Sequence, residues 1–225
     1  MDAKIWAALF GEAVVFGVLL FGAAGTVRWP QGWAFLIVFF IPAAIVSLRV
    51  ARDDPALMRE RMALPMQKGQ PVWDKIVMGA IALLFILWIA LMGYDGGRLH
   101  RGAMPVWLEA LGALGIVVMF VLADWVMHAN TYLAPVVRVQ VERGHQAVTT
   151  GPYAIVRHPL YAAAVILFFA APLLLGSWYG ELGALALTAI LTLRTALEDR
   201  LLQRSLDGYA TYAATVRWRL VPGIW

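Results

Sequence analysis

The chain has 225 residues, of which 62% are hydrophobic and 14% charged, with a mean hydropathy of +0.74. Soluble domains lie nearer about 45–50% apolar and about 25% charged, so this composition excludes an ordinary soluble domain and implies an integral membrane protein. The absence of Cys excludes disulfides, thiolate catalysis and Cys-ligated metals, and the net charge of +4 is spread over loops with no Lys/Arg block suited to nucleic acid.

In chain order, Ile5 to Val27 is apolar apart from Glu12 and long enough to cross a hydrocarbon core of roughly 30 Å at about 1.5 Å per residue. Its nearly neutral start, Met1-Asp2-Ala3-Lys4, reads as an uncleaved span rather than a signal peptide. Arg28 to Gly32 is a tight turn. Trp33 to Leu48 returns as a short second span, kinked at Pro42. Residues 49–75 are polar, and Pro55 to Met62 has the pattern of an amphipathic helix on the surface. Ile76 to Met92 is a third span, broken by Tyr94-Asp95-Gly96-Gly97. Val106 to Met127 is a fourth, carrying Asp124, with His128 and Asn130 just beyond.

Residues 131–160 form the longest irregular stretch. Tyr161 to Leu175 and Leu182 to Thr195 are short apolar runs joined as a helical hairpin by Gly176–Glu181. From Glu198, the near-helical spacing of Leu201, Leu202, Leu206, Tyr209 and Val216 predicts an amphipathic tail, not another span. The expected fold is an all-α integral membrane protein of about six transmembrane helices, five being possible. Residues 1–130 supply the N-terminal helices and 131–225 the C-terminal functional region of one membrane-embedded domain.

With six spans, fifteen of the 18 Lys and Arg residues fall on one side; Arg28, Arg98 and Arg101 fall on the other. The positive-inside rule places both termini and the 131–160 stretch in the cytoplasm. The Ala/Leu-rich composition hints at a bacterial inner membrane.

Between His145 and Tyr161, in HQAVTTGPYAIVRHPLY, two imidazoles, a guanidinium and two phenols crowd together. Gly151-Pro152 is a turn signal, and Pro159 biases His158 away from the helical region. Irregular backbone at a membrane surface is tolerated where it is wet or lines a cavity. A polar ligand site is one reading; a loop whose Arg and Tyr anchor at headgroups is the plainer one. A second polar cluster, Arg194 with Glu198, shares one helical face four residues apart. It reads either as a surface ion pair or, folded back by the hairpin, as part of the same site.

The run His145-x-x-Val148-Thr149-x-Gly151-x-Tyr153-x-x-x-Arg157-His158-Pro159-x-Tyr161 resembles the signature of the isoprenylcysteine carboxyl methyltransferases and their bacterial relatives. The hairpin, the step Arg194, Glu198, Asp199, the pair Tyr209 and Tyr212, and the basic end Arg217, Arg219, Pro222 extend the resemblance over about ninety C-terminal residues. It implies S-adenosylmethionine as cofactor and methyl transfer at the membrane surface to a lipidic or amphiphilic acceptor, by carboxyl O-methylation or N-methylation. It implies cofactor contacts at His145, Gln146, Ala147, Val148, Tyr153, His158, Pro159, Leu160, Tyr161 and Glu198. A further contact falls at Arg138, with Gln140 as its rival. The resemblance also puts Arg194 against the acceptor. Asp199 replaces a second Glu, a change expected to matter little, and Ala163 replaces a common Gly.

The residue types suit that chemistry. Glu198 can accept from the cofactor amine or ribose, and imidazole and backbone N–H groups can bind its carboxylate. Tyr153 and Tyr161 can stack on adenine or face the sulfonium, a cation–π contact of about 0.5–2 kcal/mol. Displacement at a methyl group is accelerated chiefly by positioning. A carboxylate acceptor needs no base and would be held by the fork of Arg194; an amine needs His158 or Glu198 as base. The expected catalytic set is therefore Arg194, Glu198 and His158, with no metal. No Gly-rich dinucleotide fingerprint is present. A sterol-reductase-like NADPH enzyme and a non-catalytic membrane scaffold are the alternatives.

Overall fold

The computed structural model describes residues 2–64, 66–99 and 104–225; Arg101, counted above for orientation, lies outside them. Among the described residues there are helices and loops but no strand. Five helices are long and apolar enough to cross a membrane. The main spans are α1 (Asp2–Ala24), α2 (Pro30–Asp53), α4 (Val72–Met92), α5 (Val106–Ala129) and α7 (Trp178–Ser205). A sixth apolar helix, α6 (Pro159–Leu175), is shorter at 17 residues. Two brief helices, α3 (Pro55–Arg61) and α8 (Tyr209–Thr215), complete the set.

Local chemistry sets the ends. Pro30 and Pro159 open α2 and α6, where their missing N–H groups are orphans in any case. The Asp54 carboxylate accepts from the Leu57 N–H at 2.9 Å and caps α3. Gly176 closes α6 in the left-handed region (φ 67°), and Ser177 at once caps α7 by accepting from the Gly180 N–H at 3.0 Å. The hairpin turn is thus two residues, not the six of Gly176–Glu181. α7 runs on through Glu198 to Ser205, so the expected tail begins as a continuation of this helix past the membrane. α2 also exceeds its expected bounds, because Pro42 is absorbed inside the helix.

The expected break at Tyr94–Gly97 does not occur. The chain continues from α4 as a π-helical turn, Gly93–Leu99. A side chain at Gly93 would strike the Leu20 carbonyl, and one at Gly96 the Leu175 carbonyl. These glycines permit close approach to α1 and to the end of α6, the use that small residues have between membrane helices. Asp95 is buried here and accepts from Ser177 Oγ at 2.8 Å and from the Tyr179 N–H at 3.0 Å, tying the turn to the α6–α7 hairpin.

The core joins both halves of the chain. Leu20, Phe35, Trp88, Ile89, Met92, Ile116, Leu175 and Leu187 form one buried cluster. The Trp88 indole donates to the Gly180 carbonyl at 2.8 Å and lies against Gly183, locking α4 to α7. α5 and α6 pack closely through Gly112 and Gly115 against Ala170. Residues 1–130 and 131–225 are therefore one bundle. The C-terminal ends of α5 and α7 and the start of α6 emerge together, and there they hold the loop 130–158.

Candidate active site

A pocket of about 770 Å³, counting the solvent-open space at its mouth, lies at this end of the bundle. Its walls come from the end of α5, the loop, the start of α6, the extension of α7, and α8. Each of the eleven expected cofactor contacts lines it: Arg138, His145, Gln146, Ala147, Val148, Tyr153, His158, Pro159, Leu160, Tyr161 and Glu198. The tail contributes Leu202, Leu206, Tyr209 and Tyr212.

Glu198 is half-buried, and one of its oxygens accepts from the Tyr161 hydroxyl at 2.6 Å. Its other oxygen has no hydrogen-bond partner among the described residues. Arg194 stands on the far side of the same hydroxyl, donating to it from Nη1 at 2.7 Å. The expected ion pair between Arg194 and Glu198 is therefore relayed through Tyr161, whose ring also lies under the Arg194 guanidinium at 5.3 Å.

Arg194 departs from its expected role. It is buried and absent from the pocket wall. Its Nε donates to Asp74 Oδ1 at 2.9 Å and its Nη2 to the Pro135 carbonyl at 3.1 Å. Three of its five N–H groups are engaged by protein, and its burial keeps the other two off the pocket wall. Asp74, fully buried at the start of α4, also accepts from Gln70 at 2.8 Å and from the Val137 N–H at 3.0 Å. It fixes both Arg194 and the loop, and sequence reasoning missed it. Its one signal is an acidic residue in the first turn of a helix that is apolar from Ile76 onward.

Asp199, which stands where the family commonly has a second Glu, is a second hub. It is fully buried and receives Arg157 bidentately, at 2.8 and 2.9 Å. Arg219 and Gln203 donate to it at 2.9 Å and the Tyr209 hydroxyl at 3.0 Å. The Arg157 and His158 N–H groups donate to the carbonyls of Trp218 and Arg219, both at 2.9 Å, so the C-terminal segment is laid along the loop. Asp199 thus ties the loop, α7, α8 and the C-terminal segment together, and Arg157 also reaches the pocket wall.

His158 is buried with its ring parallel to that of Tyr161 at 5.7 Å. Its Nε2 faces Asp199 Oδ1 and the Tyr209 hydroxyl, each at 3.5 Å, so this nitrogen does not stand free as a base. His145 stacks on Tyr132 at 4.5 Å, and its Nδ1 accepts from the Gln140 N–H at 3.3 Å. That leaves Nε2 as the proton-bearing nitrogen. Burial, helped by the nearby charges of Arg143 and Arg138, pulls the His145 pKa down to about 4, so the ring is neutral in ordinary conditions. Gln140 is fully buried behind His145, whereas its rival Arg138 reaches the pocket wall while pairing with Glu60 at 3.0 Å and with Glu142.

The Tyr153 hydroxyl accepts from Asn130 at 2.8 Å, and the Tyr212 hydroxyl donates to the Tyr153 carbonyl at 2.6 Å. Burial raises the pKa of Tyr153, Tyr209 and Tyr212, so these phenols stay protonated and act as donors and apolar faces. Gly151 turns the loop at φ 60°, a conformation that favours glycine.

Membrane-length helices define an integral membrane protein, and a pocket with polar and aromatic walls lies at one end of their bundle. Residues 107–207 match the family model of the phospholipid methyltransferases, a family of the isoprenylcysteine-carboxyl-methyltransferase-like group of membrane methyltransferases. This is the group to which the His145–Tyr161 signature points. The match supports a membrane methyltransferase that acts on lipid. It takes in His145–Tyr161, Arg194 and Glu198 but not α1 to α4. No curated protein matches the chain.

Proposed function

We propose that this chain is an S-adenosylmethionine-dependent methyltransferase that modifies a lipidic acceptor at the cytoplasmic surface of the membrane. The observation that carries this reading is convergence: residues from 138–161 and Glu198, more than thirty positions apart, wall a single pocket.

The donor set suits a cofactor with a carboxylate, an amine, hydroxyls and an aromatic base. The free oxygen of Glu198 can accept from an ammonium or a ribose hydroxyl. The Nε2–H of neutral His145 can donate to a carboxylate. Leu160, Leu202, Leu206 and the tyrosine rings offer faces to a flat base. A dinucleotide phosphate would meet the Glu198 charge, which disfavours the reductase alternative. When bound, S-adenosylmethionine supplies a methyl group on a sulfonium. This chain's part is to hold both reactants in line and exclude water, and such positioning supplies several kcal/mol of catalysis.

Between the two acceptor chemistries, the burial of Arg194 away from the pocket wall favours an amine, since the residue does not stand in the pocket to orient a carboxylate. An ammonium must lose its proton, and the free oxygen of Glu198 is the carboxylate placed to take it. The signature's likeness to carboxyl methyltransferases keeps O-methylation as the second reading. Calorimetry in detergent tests the core of the proposal. S-adenosylmethionine and its demethylated product should bind and NADPH should not; NADPH binding alone would overturn it. Methyl transfer from labelled cofactor to phosphatidylethanolamine, compared with a fatty acid, separates the acceptors.

The orientation rests on charge. The pocket shares its end of the bundle with α3, the start of α4, the loop, the end of α7 and the tail, which carry eleven of the fifteen Lys and Arg residues assigned to the cytoplasm.

A further inference from the structure

A second cavity, enclosing about 810 Å³ of open space, lies between α1, α2, α3 and α5. Its wall is mostly apolar, including Ile5, Leu9, Val46, Met58 and Phe120, with three polar exceptions: Ser47, Glu12 and Arg61. Arg61 ends α3. It is half-buried and has no hydrogen bond or ion pair with any described residue. The other described arginines that are buried or half-buried have partners: Arg138 with Glu60 and Glu142, Arg143 with Gln140 and Thr131, Arg157 and Arg219 with Asp199, Arg194 with Asp74. A guanidinium keeps its proton in proteins. Here it lines a mostly apolar cavity with no carboxylate in pairing range, so an anion entering the cavity would meet an unpaired cation.

The cavity adjoins the cofactor-side pocket. Leu133 and Leu160 line that pocket, and their other contacts are with the Ile5–Met58 cluster and with Met119 and Ala123. Burial lowers the Arg61 pKa, and Tyr161 and Tyr153 of the pocket wall oppose this, so the guanidinium lies within electrostatic reach of both phenols. Ile5 packs with Leu57 and Met58 of α3 and so marks the Arg61 end. Glu12 is seven residues further along α1, about 10 Å at about 1.5 Å per residue, so its charge belongs to the opposite end. The site has one cationic end beside the methyl-transfer pocket and an apolar strip leading away into the bundle.

We propose that this cavity receives the acceptor, a phospholipid whose phosphate is held by Arg61 while its chain lies against Leu9, Val46 and Phe120. The assignment rests on the methyltransferase reading, and it places acceptor recognition on α1 to α3, outside the stretch that matches the family.

The test is binding to the full chain in maltoside micelles, with a phosphatidylethanolamine labelled on one acyl chain as probe. Diacylglycerol and fatty acid with the same label serve as comparisons. Arg61→Gln removes no internal bond and should weaken phosphatidylethanolamine binding at least tenfold, with Arg61→Lys recovering part of it. Diacylglycerol should bind wild type as poorly as phosphatidylethanolamine binds Arg61→Gln. S-adenosylmethionine affinity should be the same in all three proteins. Equal phosphatidylethanolamine affinity in wild type and Arg61→Gln overturns the proposal. So does diacylglycerol binding wild type as tightly as the phospholipid, and so does preference for the fatty acid. If wild type binds lipid in an Arg61-dependent way but no S-adenosylmethionine, the lipid site stands and the cofactor reading falls.

Discussion

Asp74 and Arg194 lie 120 positions apart and meet at 2.9 Å in the interior, each almost wholly removed from solvent. Their pairing joins the start of α4 to the C-terminal part of α7, and through Val137 and Pro135 it joins both to the loop. Through Tyr161 it reaches Glu198, the carboxylate that faces the pocket. Arg194 thus acts on the site by holding Tyr161 and the loop in place.

Breaking this pair should cost more than a surface ion pair would. Removing one partner of a buried pair leaves an uncompensated charge, typically at about 3–5 kcal/mol. Arg194→Ala and Asp74→Ala should each lower the thermal midpoint in detergent by several degrees, and the Asp74→Ala/Arg194→Ala double variant should lose less than the sum. Additive losses would show that the two residues do not depend on each other.

Glu198→Gln keeps the shape and the Tyr161 contact but removes the charge. If Glu198 accepts from the cofactor's ammonium, binding should weaken by about 1.5–3 kcal/mol, the range for hydrogen bonds to charged groups. Tyr161→Phe should have a smaller effect on affinity, because it frees Glu198 without discharging it. Titration calorimetry of both variants decides; an unchanged dissociation constant in Glu198→Gln removes this residue from the cofactor site.

His145 gives the pH dependence. Its pKa is pulled down to about 4 in the folded chain, from an ordinary value of about 6.5. The unfolded chain therefore binds the proton first, so this residue's contribution to stability is present above about pH 6.5 and fades as pH falls toward 4. The slope should be shallow, because the ring is partly exposed. His145→Asn should flatten that part of a melting-temperature series between pH 7.5 and 4.5. Cofactor affinity should show no step near pH 6.5, since the neutral ring persists below it; a step there would mean that His145 titrates normally.

Much of this architecture is legible in the residues, and the exceptions share a cause. The spans show because apolar runs of membrane length have few other uses, and the His145–Tyr161 pocket shows because its residue types are dense and local. The glycines at 93, 96 and 97 read as a helix break because their spacing does not reveal that α1 and the end of α6 lie against them. Arg194 and Glu198 read as a helix-face pair because they are four apart, while the true partner of Arg194 is in another helix. Asp74 and Arg61 carry no local motif at all. Long-range charge matching is a property of packing, and a single sequence does not encode it in any spacing that can be counted.

The last prediction concerns Asp199. Its carboxylate gathers Arg157 from the loop, Arg219 from the C-terminal segment and Tyr209 from α8. Asp199→Asn is nearly isosteric but leaves two guanidiniums without their counter-charge, and the bidentate contact of Arg157 loses an acceptor. The loss should be on the order of 3–5 kcal/mol, spent mainly on release of α8 and the tail, since α7 itself is held in the bundle by Leu187 and Leu191. Hydrogen exchange followed by mass spectrometry should show deprotection confined to the loop near 151–158 and to residues 206–225, with the spans unaffected. Cofactor affinity should fall with it, because Leu206, Tyr209 and Tyr212 wall the pocket. Asp199→Glu keeps the charge and adds one methylene in a fully buried place, an overpacking cost of about 1–3 kcal/mol, so it should retain the protection pattern with reduced stability. If Asp199→Asn leaves exchange near 206–225 unchanged, the tail is held by its apolar contacts around Val126 and Leu206, and the hub is not what closes the pocket.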